Sequence, residues 1–220
     1  MTSLFRSEEF KAYAGIITFI AIFLGISLCI NSNYTPKTAF LNSFFEVIAS
    51  VTSTGFACVI YIDWDVTSKV ILFSAFFIGG CASSTSGGIK IIRWVFMWKY
   101  LKRELNKIVH SQGVYPIKIE GAPLAQDVIS QMVAFLVFYF VLFALAAFII
   151  TLLENNTTIA LSASASAIAN IGPGFGVIGP MGNYADLHVI TKWIVILLMI
   201  VGRLEIIPFL AILNKELWKK

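Results

Sequence analysis

Charge is what this sequence has least of. Of 220 residues only 13% are Asp, Glu, Lys or Arg, against 58% in the apolar set Ala, Val, Ile, Leu, Met, Phe, Trp, Tyr and Cys. A soluble domain carries about 25% charged and about 45–50% apolar residues. The charge present here is too little to cover a soluble globule, which excludes a soluble enzyme and a disordered chain and makes lipid the main solvent. Cysteine is scarce too. Cys29, Cys58 and Cys81 lie in or beside apolar stretches with no CxxC spacing, so a disulfide scaffold and a thiolate metal site are excluded, and the three read as packing residues. The basic surplus is small, 16 Lys and Arg against 12 Asp and Glu, and implies no nucleic-acid partner. The start M-T-S-L-F-R-S-E-E-F puts acids ahead of the first apolar run and has no signal-peptide pattern.

What the chain does have is long runs without charge. Residues 12–31, 70–89 and 128–153 are three of them, and 193–214 is a fourth, broken only by Arg203 and Glu205. Crossing a hydrocarbon core takes about 20 residues. Two shorter segments lie between them. Residues 38–51 run into T-S-T-G-F at 52–56, and residues 159–169 run into N-I-G-P-G-F-G at 170–176. Segments of that length are too short to span and are expected to be re-entrant.

The order span, short helix, glycine loop, span thus occurs twice. An offset of 117 (172 − 55) carries Gly55 onto Gly172, Asn42 onto Ile159, residues 12–31 onto 129–148, and Lys69 onto Asp186. Each copy crosses the membrane an even number of times, so the copies are parallel repeats. The expected fold class is an all-α polytopic membrane protein of two parallel M1–pore helix–M2 repeats with re-entrant filter loops. The first repeat is 1–98 (M1 9–31, pore helix 38–51, filter 52–56, broken M2 68–98). A cytoplasmic connecting segment covers 99–126. The second repeat is 127–220 (M1 127–153, pore helix 159–169, filter 170–176, M2 187–214).

Short-loop basic residues set orientation. Lys90, Arg93, Lys99, Lys102, Arg103 and Lys107 face one acid, Glu104, and Lys215, Lys219 and Lys220 close the chain. The opposite loops hold little: Lys37, Asp63, Asp65, Glu154, Asp186 and His188. Both termini and the 90–126 segment are expected in the cytoplasm, with both glycine loops entering from outside.

A short helix followed by a glycine loop suits a cation filter, where backbone carbonyls replace the ion's hydration shell. Glycine permits the backbone conformations this needs, and the short helix presents its negative end to the cavity. No ring of carboxylates appears. T-S-T-G-F alone equally fits a helix C-cap; the recurrence favours the filter. Ser50, Thr52, Thr54 and Ser166 are placed to hydrogen-bond the loops. The stretch F-I-G-G-C-A-S-S-T-S-G-G-I-K at 77–90 makes a poor helix. It fits either a small-residue helix contact or a broken helix with a loop inside the membrane. It lacks the P-loop spacing, and neither His110 nor His188 is expected at membrane depth to serve its serines as a base. Arg203 stands in mid-span, where a charge costs about 2.5–3.5 kcal/mol even on a lenient scale. It must face protein or water. Glu205, two positions on, points elsewhere on a helix.

T-S-T-G-F, G-G-C-A-S-S-T-S-G-G-I-K-I-I-R, N-I-G-P-G-F-G and G-R-L-E-I-I-P, in that order, resemble the TrkH-type potassium uptake proteins of the Trk/Ktr/HKT superfamily. The resemblance covers nearly the whole chain. It implies four membrane helix–pore helix–membrane helix repeats around one pore, of which this chain resembles the third and fourth. Potassium-coordinating positions fall on Ser53, Thr54 and Gly55 and on Asn170, Ile171 and Gly172. An intramembrane gating loop falls on Gly79, Gly80, Gly87 and Gly88, and a pore arginine on Arg203. K+ is implied as the transported ion, by symport or driven by the membrane potential, with no cofactor. The implied partners are the missing N-terminal half or a second chain, a homodimer mate and a cytoplasmic nucleotide-binding regulatory subunit. The implied location is the bacterial inner membrane. The alternative is a non-conducting structural or regulatory membrane subunit.

Overall fold

The computed structural model describes residues 7–32, 34–110, 113 and 115–204. Seven helices run through them: α1 (Glu8–Asn31), α2 (Pro36–Val51), α3 (Val66–Ala75), α4 (Ile91–Val109), α5 (Gln126–Glu154), α6 (Thr157–Ala169) and α7 (Val189–Leu204). A small antiparallel hairpin pairs β1 (Lys118–Ile119) with β2 (Ala122–Pro123). The part of the last expected span beyond 204, Glu205 included, lies outside the described residues.

Helices α1 and α5 have 24 and 29 residues. At 1.5 Å per residue they reach about 36 and about 44 Å, and both are long and apolar enough to cross a membrane. Helix α1 buries Ile17, Ile20, Ala21, Leu24 and Leu28 on one stripe, while Phe19, Phe23 and Ile30 on the remaining surface stay exposed. A helix apolar all round is made for lipid or for a further protein surface. The short helices α2 and α6 have 16 and 13 residues and pack along α1 and α5 respectively. Pro36 opens α2, where its fixed φ suits the first turn and its missing N–H costs nothing. Asn156 caps α6 by accepting the N–H groups of Thr158 and Ile159. Close packing of α1 on α2 relies on Gly25, where a Cβ would stand 2.7 Å from the Phe40 ring.

Between α3 and α4 the helix breaks over residues 76–90. The break is hydrogen-bonded to itself, as non-helical backbone at membrane depth requires. The Gly79 N–H donates to the Ile89 carbonyl (2.9 Å), the Ile91 N–H to the Gly80 carbonyl (3.1 Å) and the Gly80 N–H to Ser86 Oγ (2.7 Å). Lys90 Nζ returns to the Ala82 carbonyl at 3.0 Å. Helix α4 then runs unbroken to Val109, so residue 98 is a mid-helix position. The connecting segment expected at 99–126 is helical over its first part. Its charges lie on one face, Lys99, Lys102, Arg103 and Lys107, with exposed Trp98, Leu101, Leu105 and Ile108 at i, i+3 and i+4 spacing. The hairpin packs beneath through Ile117 and Ile119 against Phe96, Tyr100 and Ile129. Lys99 pairs with Glu8 and also donates to the Lys118 carbonyl at 2.8 Å, which ties the start of α1 to this end of the molecule. Arg103 at 2.8 Å holds the Glu104 carboxyl below its ordinary range.

Each repeat builds its own core and lends a piece to the other. The core of α1, α2 and α3 takes in Ala165, Ala169, Ile171 and Phe175 from the second repeat. The core of α5, α6 and α7 takes in Ile89 from the break in the first. Phe175 is the largest side chain among these exchanges. It stacks on Phe76 at 5.7 Å and meets Tyr61 edge-on at 5.6 Å; such pairs contribute about 0.5–1.5 kcal/mol beyond area burial.

Candidate functional site: the paired glycine loops

The loops that follow α2 and α6 are copies at the level of single hydrogen bonds. The Thr54 N–H donates to the Ala49 carbonyl and the Ile171 N–H to the Ser166 carbonyl, both at 3.0 Å. Each pair is the other moved by 117. One residue earlier, the Ser53 N–H donates to the Ser50 carbonyl and the Asn170 N–H to the Ala167 carbonyl, both at 3.1 Å. Ser53 and Asn170 take left-handed backbones with φ of 53° and 56°, and Gly55 and Gly172 follow with φ of 71° and 113°. In each repeat the backbone leaves the short helix by a left-handed turn that glycine completes without a Cβ penalty, while Ser53 and Asn170 carry that cost in place.

The two loops touch. Ser53 Oγ donates to the Ala169 carbonyl at 2.9 Å. The Cα of Gly55 faces the Ile171 carbonyl oxygen so closely that no Cβ fits. Thr54, Gly55, Ile171 and Gly172 line a cavity of 570 Å³ together with Phe56, Cys58 and Tyr184. Ser53, Thr54, Asn170, Ile171 and Gly172 line a second of 610 Å³ against α7, with Lys192 and Met199. All six predicted coordinating positions therefore meet at one place.

Of the hydroxyls placed to support the loops, Ser166 bonds loop backbone, accepting the Gly172 N–H at 3.0 Å. Ser50 and Thr52 turn back onto carbonyls of their own helix, at Glu46 and Ile48. Thr54 pairs with Thr52 through their hydroxyls. Three supports went unpredicted. Tyr184 Oη donates to the Gly172 carbonyl at 2.9 Å; burial raises that phenol to about 12, so it is a donor throughout the physiological range. Ser162 Oγ accepts the Phe175 N–H at 3.0 Å, and Glu46 Oε1 accepts the Cys58 N–H at 2.8 Å. Glu46 carried the one available signal, being the lone charge in 38–51. Cys58, expected as a packing residue, is exposed on this loop.

The glycine-rich break reaches the same place from below the loops. Gly87 sits against the Ala169 carbonyl and Asn170, and Gly202 of α7 sits against the Ile168 carbonyl and Asn170. Asn170 Nδ2 is buried between them without a hydrogen-bond partner among the described residues. Gly79 faces the Gly87 carbonyl inside the break and Gly88 takes a positive φ of 76°. Arg203, next to Gly202, is exposed. Among the described residues it makes no hydrogen bond or ion pair with the 79–88 segment. There Ser86 Oγ serves the Gly80 N–H and Ser84.

The model of the TrkH family, described as a cation transport protein, matches residues 15–219. A Trk system potassium uptake protein, TrkI, of Halomonas elongata is 37% identical over 99% of this chain and 44% of its own length. The TrkH protein of Vibrio parahaemolyticus is 32% identical over 97% of this chain and 44% of its own. The crystal structure of the potassium transporter TrkH from Vibrio parahaemolyticus superposes with a TM-score of 0.88 at 31% identity, covering 98% of this chain and 46% of that one. The chain spans about half the length of the relatives it matches. It has an all-α polytopic membrane fold, and it belongs to the TrkH family of cation transport proteins.

Proposed function

We propose that this chain supplies half of a potassium uptake pore, with Ser53, Thr54 and Gly55 and Asn170, Ile171 and Gly172 as two walls of a carbonyl-lined filter. The observation that carries this reading is the duplicate backbone at those positions, the same hydrogen bonds and the same left-handed turns 117 residues apart. Two unrelated helix caps have no reason to agree in this detail or to touch. Carbonyl oxygens suit a weakly hydrated monovalent cation, and metal-holding groups of His, Cys, Asp and Glu are absent among the described residues. The Tyr184 hydroxyl occupies one lone pair of the Gly172 carbonyl and leaves the second for an ion. Transport fits this geometry. The names of the relatives specify potassium uptake, and that is the cargo proposed here.

The remaining walls come from a matching first half or a second chain. The proposed setting is the bacterial inner membrane, with both termini and α4 on the cytoplasmic side, where its basic face is placed by the positive-inside rule. The break at 79–88 and Arg203 form the proposed gate on the inner side of the filter. The test is growth at low potassium of a strain without its own uptake systems. The chain expressed with a matching first half restores growth, and the chain alone as a monomer does not, because two walls cannot replace a hydration shell. Robust potassium-selective flux from the isolated monomer would overturn the half-pore reading.

A further inference from the structure

Glu46 stands in the middle of α2 and is 2% exposed. Its Oε1 accepts the Cys58 N–H at 2.8 Å. Asn42, one turn earlier on the same face, lies with Oδ1 3.8 Å from Cys58 Sγ. Together they hold the segment that leaves the first glycine loop. The offset of 117 carries Cys58 onto Phe175, and that N–H is held as well, by Ser162 Oγ of α6 at 3.0 Å. In both repeats the N–H three residues past the loop glycine is tied back to a side chain of the pore helix.

The means differ between the copies. The second loop is anchored twice, by the neutral Ser162 hydroxyl and by the Phe175 ring, which is packed among Tyr61, Phe73 and Phe76. The first loop has no such ring. Phe56 and Cys58 are exposed, so the anchoring falls on the polar tie. We infer that Glu46 is a positioning residue for the first filter wall: its acceptor fixes residues 56–58 and so the path of the Gly55 carbonyl. The inference rests on the filter reading above.

The test uses the assembled transporter in vesicles and compares K+ with Na+ influx for three variants. Glu46→Met keeps the length and volume of the side chain and loses the acceptor. It is expected to lower the K+/Na+ preference about tenfold, as loss of one buried hydrogen bond allows. Glu46→Gln keeps an acceptor at the same place and is expected to bring the preference back to within about twofold of wild type, which a role for the charge itself would not give. Glu46→Ala makes the same deletion with a smaller side chain, so poor membrane insertion of the Met variant does not close the experiment. Wild-type preference in the Met or Ala variant, or a Gln variant as damaged as Met, overturns the assignment. Gly55→Val separates the two levels. If it too leaves the preference intact, the filter reading falls; if it destroys the preference while Glu46→Met does not, only the role of Glu46 falls.

Discussion

Gly87 and Gly202 close on the same end of α6. The first lies against the Ala169 carbonyl and the second against the Ile168 carbonyl, each too near for a Cβ, and both border Asn170. One comes from the break in the first repeat and the other from the last helix of the second. The neighbour in each case is backbone, which cannot swing aside as a side chain tip can. Gly202→Ala and Gly87→Ala must therefore push the end of α6 and the turn at Asn170. Overpacking of this kind costs about 1–3 kcal/mol. Both variants are expected to lower the thermal midpoint of the purified protein and the K+/Na+ preference together. A normal midpoint with normal preference would mean that α6 yields at no cost.

The loop glycines are expected to differ from each other under the mildest substitution. Gly55 combines a φ of 71° with the Ile171 carbonyl in its Cβ position, whereas Gly172, at a φ of 113°, has open space there. Gly55→Ala meets both a steric and a conformational penalty. Gly172→Ala meets the conformational one alone, about 1–2 kcal/mol. Uptake is expected to fall further for Gly55→Ala than for Gly172→Ala, while a branched Val at either position abolishes it or removes its selectivity. The measurement is initial K+ influx at equal membrane protein, and the reverse order of the two Ala variants would contradict the packing described.

Tyr184→Phe deletes the hydroxyl that donates to the Gly172 carbonyl and leaves the ring in place. A net hydrogen bond is worth about 0.5–1.5 kcal/mol, so a several-fold loss of K+/Na+ preference is expected with expression unchanged. Burial keeps the hydroxyl protonated up to about 12. Its contribution is present below that pH and is lost only as pH rises through it. Wild-type selectivity is therefore expected to be flat between pH 6 and pH 9 in this respect, and a phenol titrating inside that window would show the Tyr184 bond to be wrongly placed.

Much of this architecture is local information. The charge-free runs within α1 and α5 need only apolar composition and length, and Pro36 and Asn156 open the short helices by their own chemistry. The duplication is legible because no insertion inside either copy breaks the single offset of 117. Helix α4 is harder to read. Lys99, Lys102, Arg103 and Lys107 suggest a solvated segment, yet they line one face of a helix whose other face is Trp98, Leu101, Leu105 and Ile108. Ser162, Tyr184 and Glu46 were illegible as supports for another reason. Each acts on a backbone group 12 or 13 residues away, and only the re-entrant fold decides which one. The same holds for the exchange of Phe175 and Ile89 between the two cores: the sequence shows both as apolar, and the packing partner is settled in three dimensions.

Arg203 offers the sharpest test of the gate. Its neighbour Gly202 touches the end of α6, so the guanidinium lies beside the level at which the second filter loop begins. Its side chain is exposed on this half of the protein, on a helix whose other face, Val195, Leu198 and Val201, is buried against α5 and α6. A charge at mid-span must face water or further protein. In the gate proposed above it faces the pore and repels a cation leaving the filter, with little screening. The break at 79–88 borders the same Asn170 through Gly87 and, among the described residues, makes no bond to Arg203, so in the proposed gate the two are separate parts of one barrier rather than a latch. Arg203→Ala is then expected to raise basal cation influx into vesicles several-fold. The K+/Na+ preference, set at the loops, stays near wild type. Deleting two residues from 82–85 is expected to raise influx independently, so that the double variant exceeds either single one. If well-folded Arg203→Ala protein conducts at or below the wild-type rate, the arginine is structural and the barrier must be sought in the 79–88 segment alone.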